Sequence, residues 1–240
     1  MVDVEVQQPT HKGSDLPVRV ASALAMLLVA GTAFWLGGLV LDLFIGLVGL
    51  IAFVEMARLI IRIPAAPLSH GIALIGAILY VGLAAAYLVA SPAAVVFFAL
   101  GIVIVTDTGA YFTGRAIGGP KIAPSISPSK TWAGLFGGMA AAGLLGAVLV
   151  GGAVSFGAAQ PTHDGQGVPW LAVLAGFAVG ALLAIVAQMG DFFESWLKRR
   201  AGVKDSSRLI PGHGGVLDRV DGLLPVAIIV GAVSSYLMFV

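Results

Sequence analysis

Residues 69–113 read SHGIALIGAILYVGLAAAYLVASPAAVVFFALGIVIVTDTGAYFT, and no acidic, Lys or Arg residue occurs before Asp107. A membrane-spanning helix needs about 20 mostly apolar residues, and this stretch holds two such runs. They meet at Ser91-Pro92, a short turn, so they predict a helical hairpin through a bilayer. Working outward, similar runs fall at roughly 18–36, 38–57, 133–156, 168–194 and 222–240, with a second tight turn at Gly37-Gly38. The expected fold is all-α: a polytopic transmembrane helical bundle of about seven spans. Composition agrees, with 59% hydrophobic and 10% charged residues and a mean hydropathy of +1.02, against about 25% charged residues in soluble domains. Residues 1–17 read as a polar cytoplasmic tail and 18–240 as one membrane-embedded domain, with no cleavable signal peptide expected. A split or re-entrant helix, chiefly in 168–194, is the alternative that would change the count.

Charge placement gives the sidedness. All 13 Lys and Arg residues lie in 1–19, 58–68, 114–132 and 195–221, and none lies in the intervening turns. The positive-inside rule then puts the N-terminus and these segments in the cytoplasm, and the C-terminus outside. The polar stretch 157–167 becomes an external loop in which His163 and Asp164 are solvated. Net charge is +1, so no global field argues for nucleic acid. There is no cysteine, which excludes disulfides, thiol nucleophiles and zinc–thiolate centres. Small residues about one turn apart, such as Gly134, Gly137 and Gly138, or Gly143 and Gly146, suit close helix packing in lipid.

Ionisable groups within spans are costly and tend to mark function. Asp42 stands alone on the outer side. Asp107 opens TDTGAYFTGR and shares a helical face with Tyr111 and Gly114. Asp191, Ser195 and Lys198 line one face of QMGDFFESWLKRR, with Glu194 adjacent. A helix-end ion pair with a snorkelling lysine is the simpler alternative there.

Two cytoplasmic segments carry the rest. GRAIGGPKIAPSISPSKTWAG, residues 114–134, offers hydroxyls, backbone N–H groups and cations suited to phosphate, with Lys130 and Thr131 just before a helix N-terminus. Its spacing is not that of a P-loop. SWLKRRAGVKDSSRLIPGHGGVLDRVDG, residues 195–222, carries six cations, a glycine turn at Pro211–Gly215, and Asp218 and Asp221 at i, i+3. Carboxylates beside phosphate oxygens suit Mg²⁺. Attraction to anionic lipid accounts for Arg199 and Arg200, but not for two acids beside a glycine turn.

The segment Ser195–Asp221 closely resembles the signature of the phosphatidate cytidylyltransferase family, also called CDP-diacylglycerol synthases. The pattern S-x-x-K-R, K-D and P-x-H-G-G-x-x-D-R-x-D is met by Ser195, Lys198, Arg199, Lys204, Asp205, Pro211, His213, Gly214, Gly215, Asp218, Arg219 and Asp221. TDTGAYFTGR and PSISPSKTWAG also look like family segments, with departures at Ser129 and Ala133, where lysine and glutamate are usual. The resemblance covers about residues 105–225, and the chain looks short for the family.

It implies transfer of the cytidylyl group of CTP to phosphatidate, giving CDP-diacylglycerol and pyrophosphate, at the inner membrane of a bacterium. Membrane lipid is the further partner, and a homodimer is compatible with the resemblance. Expected roles follow. Asp191, Asp218 and Asp221, with Asp107 in addition, hold Mg²⁺, with room for a second cation. Lys198, Lys204 and Arg219 neutralise phosphate oxygens, and His213 donates to the leaving phosphate. Ser127, Lys130, Thr131 and Ser195 position a head group, and Gly214 and Gly215 let backbone approach a ligand. The competing readings are a CTP-dependent polyprenol kinase and an ion-coupled transporter.

Overall fold

The computed structural model describes residues 16–155 and 170–239. The 1–15 part of the tail, the 157–167 loop with His163 and Asp164, and Val240 lie outside the described residues. Seven long helices form the bundle: α1 (Leu16–Leu36), α2 (Gly38–Arg62), α3 (Pro67–Ala90), α4 (Ala93–Ile117), α5 (Trp132–Ser155), α6 (Trp170–Arg200) and, after the single turn α7 (Leu217–Val220), α8 (Leu223–Phe239). The first six are long and apolar enough to cross a membrane, and α8 is a shorter apolar helix.

Three helices run further than their apolar stretches suggest. α2, α4 and α6 end with Arg62, with Arg115, and with Lys198, Arg199 and Arg200 in their last turns. Cations there complement the negative end of the helix dipole, so the helix continues past the apolar stretch. α6 is one unbroken helix of 31 residues, which removes the split-helix alternative for 168–194.

The 114–132 segment is more ordered than a glycine-, proline- and serine-rich loop implies. Lys121–Ala123 (β1) pairs antiparallel with Ser127–Thr131 (β2), Lys121 opposite Thr131 and Ala123 opposite Ser127. The hairpin leads directly into α5, and the Thr131 hydroxyl caps that helix by accepting the Gly134 N–H at 3.1 Å. At the opposite end of the bundle, Gly37 and Gly38 take φ of 61° and 49°, a left-handed pair that reverses the chain between α1 and α2.

α8 lies at the centre. Leu224 and Ala227 join a core with Ala52, Met56 and Leu59 of α2 and Val81 of α3, while Val226 joins Ile102 of α4, Ala142 of α5 and Ala184 of α6. α4, α5 and α6 approach through small residues. A Cβ on Gly146 would come within 2.1 Å of the Gly176 carbonyl, and one on Gly180 within 2.1 Å of the Ala142 carbonyl. In lipid such close backbone contact replaces hydrophobic burial as the source of association. Large apolar side chains such as Leu27, Leu28, Leu79 and Leu144 are exposed on the outer surface, as a lipid-facing surface requires. Since successive helices alternate in direction, the start of α1, the ends of α2, α4 and α6, the hairpin and the 201–222 segment gather at one end. All the described Lys and Arg residues are there.

Candidate active site

The glycine turn is built around Asp218. Its Oδ2 accepts hydrogen bonds from the Ser206 N–H at 3.0 Å, the Ser206 hydroxyl at 2.8 Å and the Gly215 N–H at 2.7 Å. Its Oδ1 receives Lys198 Nζ at 2.6 Å, and Lys198 also pairs with Glu194 one turn earlier on α6. Burial opposes ionisation of Asp218. Glu194, Lys198 and the Gly215 N–H favour the charged form more strongly, holding the carboxyl well below the usual carboxylate range. Asp218 thus gives its Oδ2 to the turn and its Oδ1 to Lys198. Lys198 stands between two acids.

The glycines have different reasons. Gly212 and Gly214 adopt φ of 75° and 83°, and the turn closes through the Ile210 N–H to the Gly214 carbonyl at 2.8 Å. Gly215 needs space instead: a Cβ there would lie 2.0 Å from Ser206 Oγ and 2.4 Å from Glu55 Oε2. The close approach expected of a ligand at Gly214 and Gly215 is made by the protein's own acids, Asp218 and Glu55. His213 Nδ1 lies 2.9 Å from the Ser22 hydroxyl of α1, which also contacts the Pro211 carbonyl at 2.8 Å. Arg219 donates to the His213 carbonyl at 2.9 Å. His213 and Arg219 thus brace the turn against α1. Among the described residues, the side chains of Ser195, half-buried, and Lys204, exposed, have no hydrogen-bond partner.

A second cluster lies between α4, the hairpin, α5 and α6. A cavity of about 520 Å³ is lined by Asp107, Tyr111, Arg115, Lys130, Thr131 and Gln188, among others. Lys130, on its wall, makes an ion pair with Asp191 and passes over the Phe192 ring at 4.9 Å. Arg115 donates to the Tyr111 hydroxyl at 2.8 Å. Ser127 and Thr131 are buried, and Arg199 Nε donates to the Ile126 carbonyl at 3.3 Å, fixing the hairpin to α6. Asp191 lies within electrostatic reach of both Asp107 and Asp221. Burial first, and Asp191 second, push the Asp221 carboxyl up to about 7. Desolvation is the larger cause, and the neighbouring Asp191 charge adds to it.

That charge balance tests the expected metal. Among the described residues no three acidic or histidine side chains form a ready-made cage. Mg²⁺ rarely uses one: it takes one or two carboxylates and completes its shell with water and substrate phosphate. Asp191 and Asp221, with Asp107 nearby, fit that pattern, and Asp218 differs in that its Oδ2 already holds three protein donors.

Sequence reasoning missed Glu55. It is 2% exposed on α2 and binds the glycine-turn segment directly. The rule that singled out Asp42, Asp107 and Asp191 applies equally to an acid in AFVEMAR, but this one lies close to Arg58 and reads as part of a helix end. Asp42 itself is partly buried near the start of α2, with no partner among the described residues.

Fold and site together define a polytopic integral membrane protein with a densely charged, partly buried site at one end of its bundle. Residues 66–237 match the cytidylyltransferase family, well over half of the chain, and the chain belongs to that family. It is 53% identical over 130 residues to a protein of Brucella suis named phosphatidate cytidylyltransferase, covering 54% of this chain and 43% of the relative. Proteins of the same name from Haemophilus influenzae and Rickettsia conorii are 42% and 40% identical over 123 and 131 residues. Those matches cover 51% and 55% of this chain, and 39% and 54% of the relatives. The matched region thus spans about half or less of each relative's length.

Proposed function

We propose that the protein transfers the cytidylyl group of CTP to phosphatidate, forming CDP-diacylglycerol and releasing pyrophosphate, with its site on the cytoplasmic face of a bacterial inner membrane. The observation that carries this reading is the Lys130–Asp191 pair beside a cavity lined by Asp107, Tyr111 and Arg115 of α4 and by Ser129, Lys130 and Thr131 of the hairpin. A phosphatidate oxygen forms the new bond to the α-phosphorus of CTP, and the α–β anhydride bond breaks as pyrophosphate departs. The lipid phosphate carries roughly −1.5 to −2 charge near neutrality, like other phosphomonoesters. It needs no strong base; the barrier lies in bringing polyanions together and stabilising the leaving charge. Mg²⁺ held by Asp191 and Asp221, with Asp107 nearby, would supply charge neutralisation to the nucleotide phosphates. Lys130 and Arg115 offer cations to phosphate within the cavity. Lys204, exposed and unpaired, is free to meet a phosphate at the rim, and the Asp218–Lys198–Glu194 system holds the turn that carries Asp221.

The test is pyrophosphate release by the purified protein given CTP, Mg²⁺ and phosphatidate. Release of CDP with a polyprenol acceptor would make it a kinase instead. No pyrophosphate across varied lipid and salt conditions would overturn the reading.

A further inference from the structure

Glu55 is a buried carboxylate that holds both ends of the glycine turn. Its Oε1 accepts the Ser207 hydroxyl at 2.6 Å and the Val216 N–H at 3.2 Å. Its Oε2 accepts the Leu217 N–H at 2.7 Å and the Ser206 hydroxyl at 3.0 Å. Two donors precede the Pro211–Gly215 turn and two follow it, so one side chain of α2 closes the base of that loop. Among the described residues no cation takes part: three neutral donors and the Ser206 hydroxyl, shared with Asp218, satisfy the carboxylate, the arrangement that makes a buried charge tolerable. Ser206 couples Glu55 to Asp218, its hydroxyl lying 3.0 Å from one and 2.8 Å from the other. A hydroxyl has one proton, so it donates to one carboxylate at a time and ties their positions together. Gly215 leaves the volume that Glu55 fills.

We infer that Glu55 is the positioning residue of this site, fixing through its four hydrogen bonds the segment that presents Asp218, Arg219 and Asp221. Its importance to turnover rests on the cytidylyl-transfer reading; its hold on the loop does not. An amide replaces one acceptor oxygen with a donor and turns that group against two N–H or O–H donors, which leaves buried groups unpaired. Glu55→Gln therefore releases the loop while keeping shape and volume, and Ser207→Ala removes one of the four bonds without altering α2.

Two measurements on the full chain in detergent test this. The first is limited trypsin digestion, read at Lys204 and Arg208 against Lys121 in the hairpin. Glu55→Gln is expected to speed cleavage at the first two at least tenfold, and Ser207→Ala by a few-fold, with Lys121 unaffected. Uniform acceleration at all three sites would show general unfolding, and unchanged rates would show that Glu55 holds nothing; either overturns the inference. The second is steady-state kinetics, where kcat should fall about a hundredfold in Glu55→Gln with KM for CTP within a few-fold of wild type. Normal kcat in a variant whose loop has loosened would deny Glu55 its effect on the site. A wild-type protein inactive in the same assay would instead count against the reaction, and the digestion would still decide the role of Glu55.

Discussion

Lys198 Nζ lies 2.6 Å from Asp218 Oδ1, joining the end of α6 to the turn that precedes α8. With Glu194 on its other side, the ammonium bridges two largely buried acids. Removing one member of a buried ion pair typically costs about 3–5 kcal/mol, because the remaining charge is stranded. Lys198→Ala is therefore expected to lower the thermal midpoint in detergent clearly. Arg200→Ala, which removes an exposed guanidinium stacked over Trp196 at 5.4 Å, should leave it nearly unchanged. Equal midpoints for the two variants would remove the structural role given to Lys198.

Lys130 is the complementary case. It faces the cavity and pairs with Asp191, so its loss should affect turnover more than stability. Loss of one preorganised charge donor commonly costs about 10²- to 10³-fold in rate. Lys130→Ala should fall in that range even with saturating CTP and lipid, while its melting midpoint drops less than that of Lys198→Ala, because the Lys130–Asp191 pair is the more exposed. A rate within a few-fold of wild type would place phosphate recognition elsewhere.

Asp221 gives the pH dependence. Its carboxyl, raised by burial and by Asp191 to about 7, still carries a proton in slightly acidic solution. A divalent cation must displace that proton. Between pH 6 and 7 the apparent Mg²⁺ affinity should rise up to about tenfold, levelling off above pH 8, with proton release visible by calorimetry in buffers of different ionisation enthalpy. Asp221→Asn should flatten the profile, and a flat profile in the wild type would mean that Asp221 does not touch the cation.

Tags separate the sidedness from the helix count. A reporter near Lys121 should be cytoplasmic and one at Val240 external. Finding both on one side would mean that α8 fails to cross.

The helical bundle and its hairpins were legible in the sequence because spanning length and charge asymmetry are properties of single segments. Asp107, Asp191 and Lys130 were each legible as candidates, the two acids because they stand near the polar ends of their helices and Lys130 because it directly precedes one. The division of labour among them was not. Whether Lys198 meets a phosphate or a protein acid depends on a contact with Asp218, and that contact exists only once α6 and the turn are folded together. Gly215 shows the same limit: its neighbour Glu55 comes from a helix 160 residues earlier in the chain. Helix continuation past the apolar stretch, as in α6, depends on terminal cations and docking of the hairpin, which hydropathy does not register.

The unbroken run of α6 works as a ruler. Along its axis, Trp170 to Asp191 spans about 32 Å at 1.5 Å per residue, close to the roughly 30 Å thickness of the hydrocarbon layer. With Trp170 at one boundary of that layer, Asp191 would stand at the other, where acyl chains give way to head groups, and Lys198 about 10 Å further out. A phospholipid would meet the acids at its own resting height, its tails still among their neighbours. On the proposed reaction the lipid would stay in its leaflet and the nucleotide alone would travel.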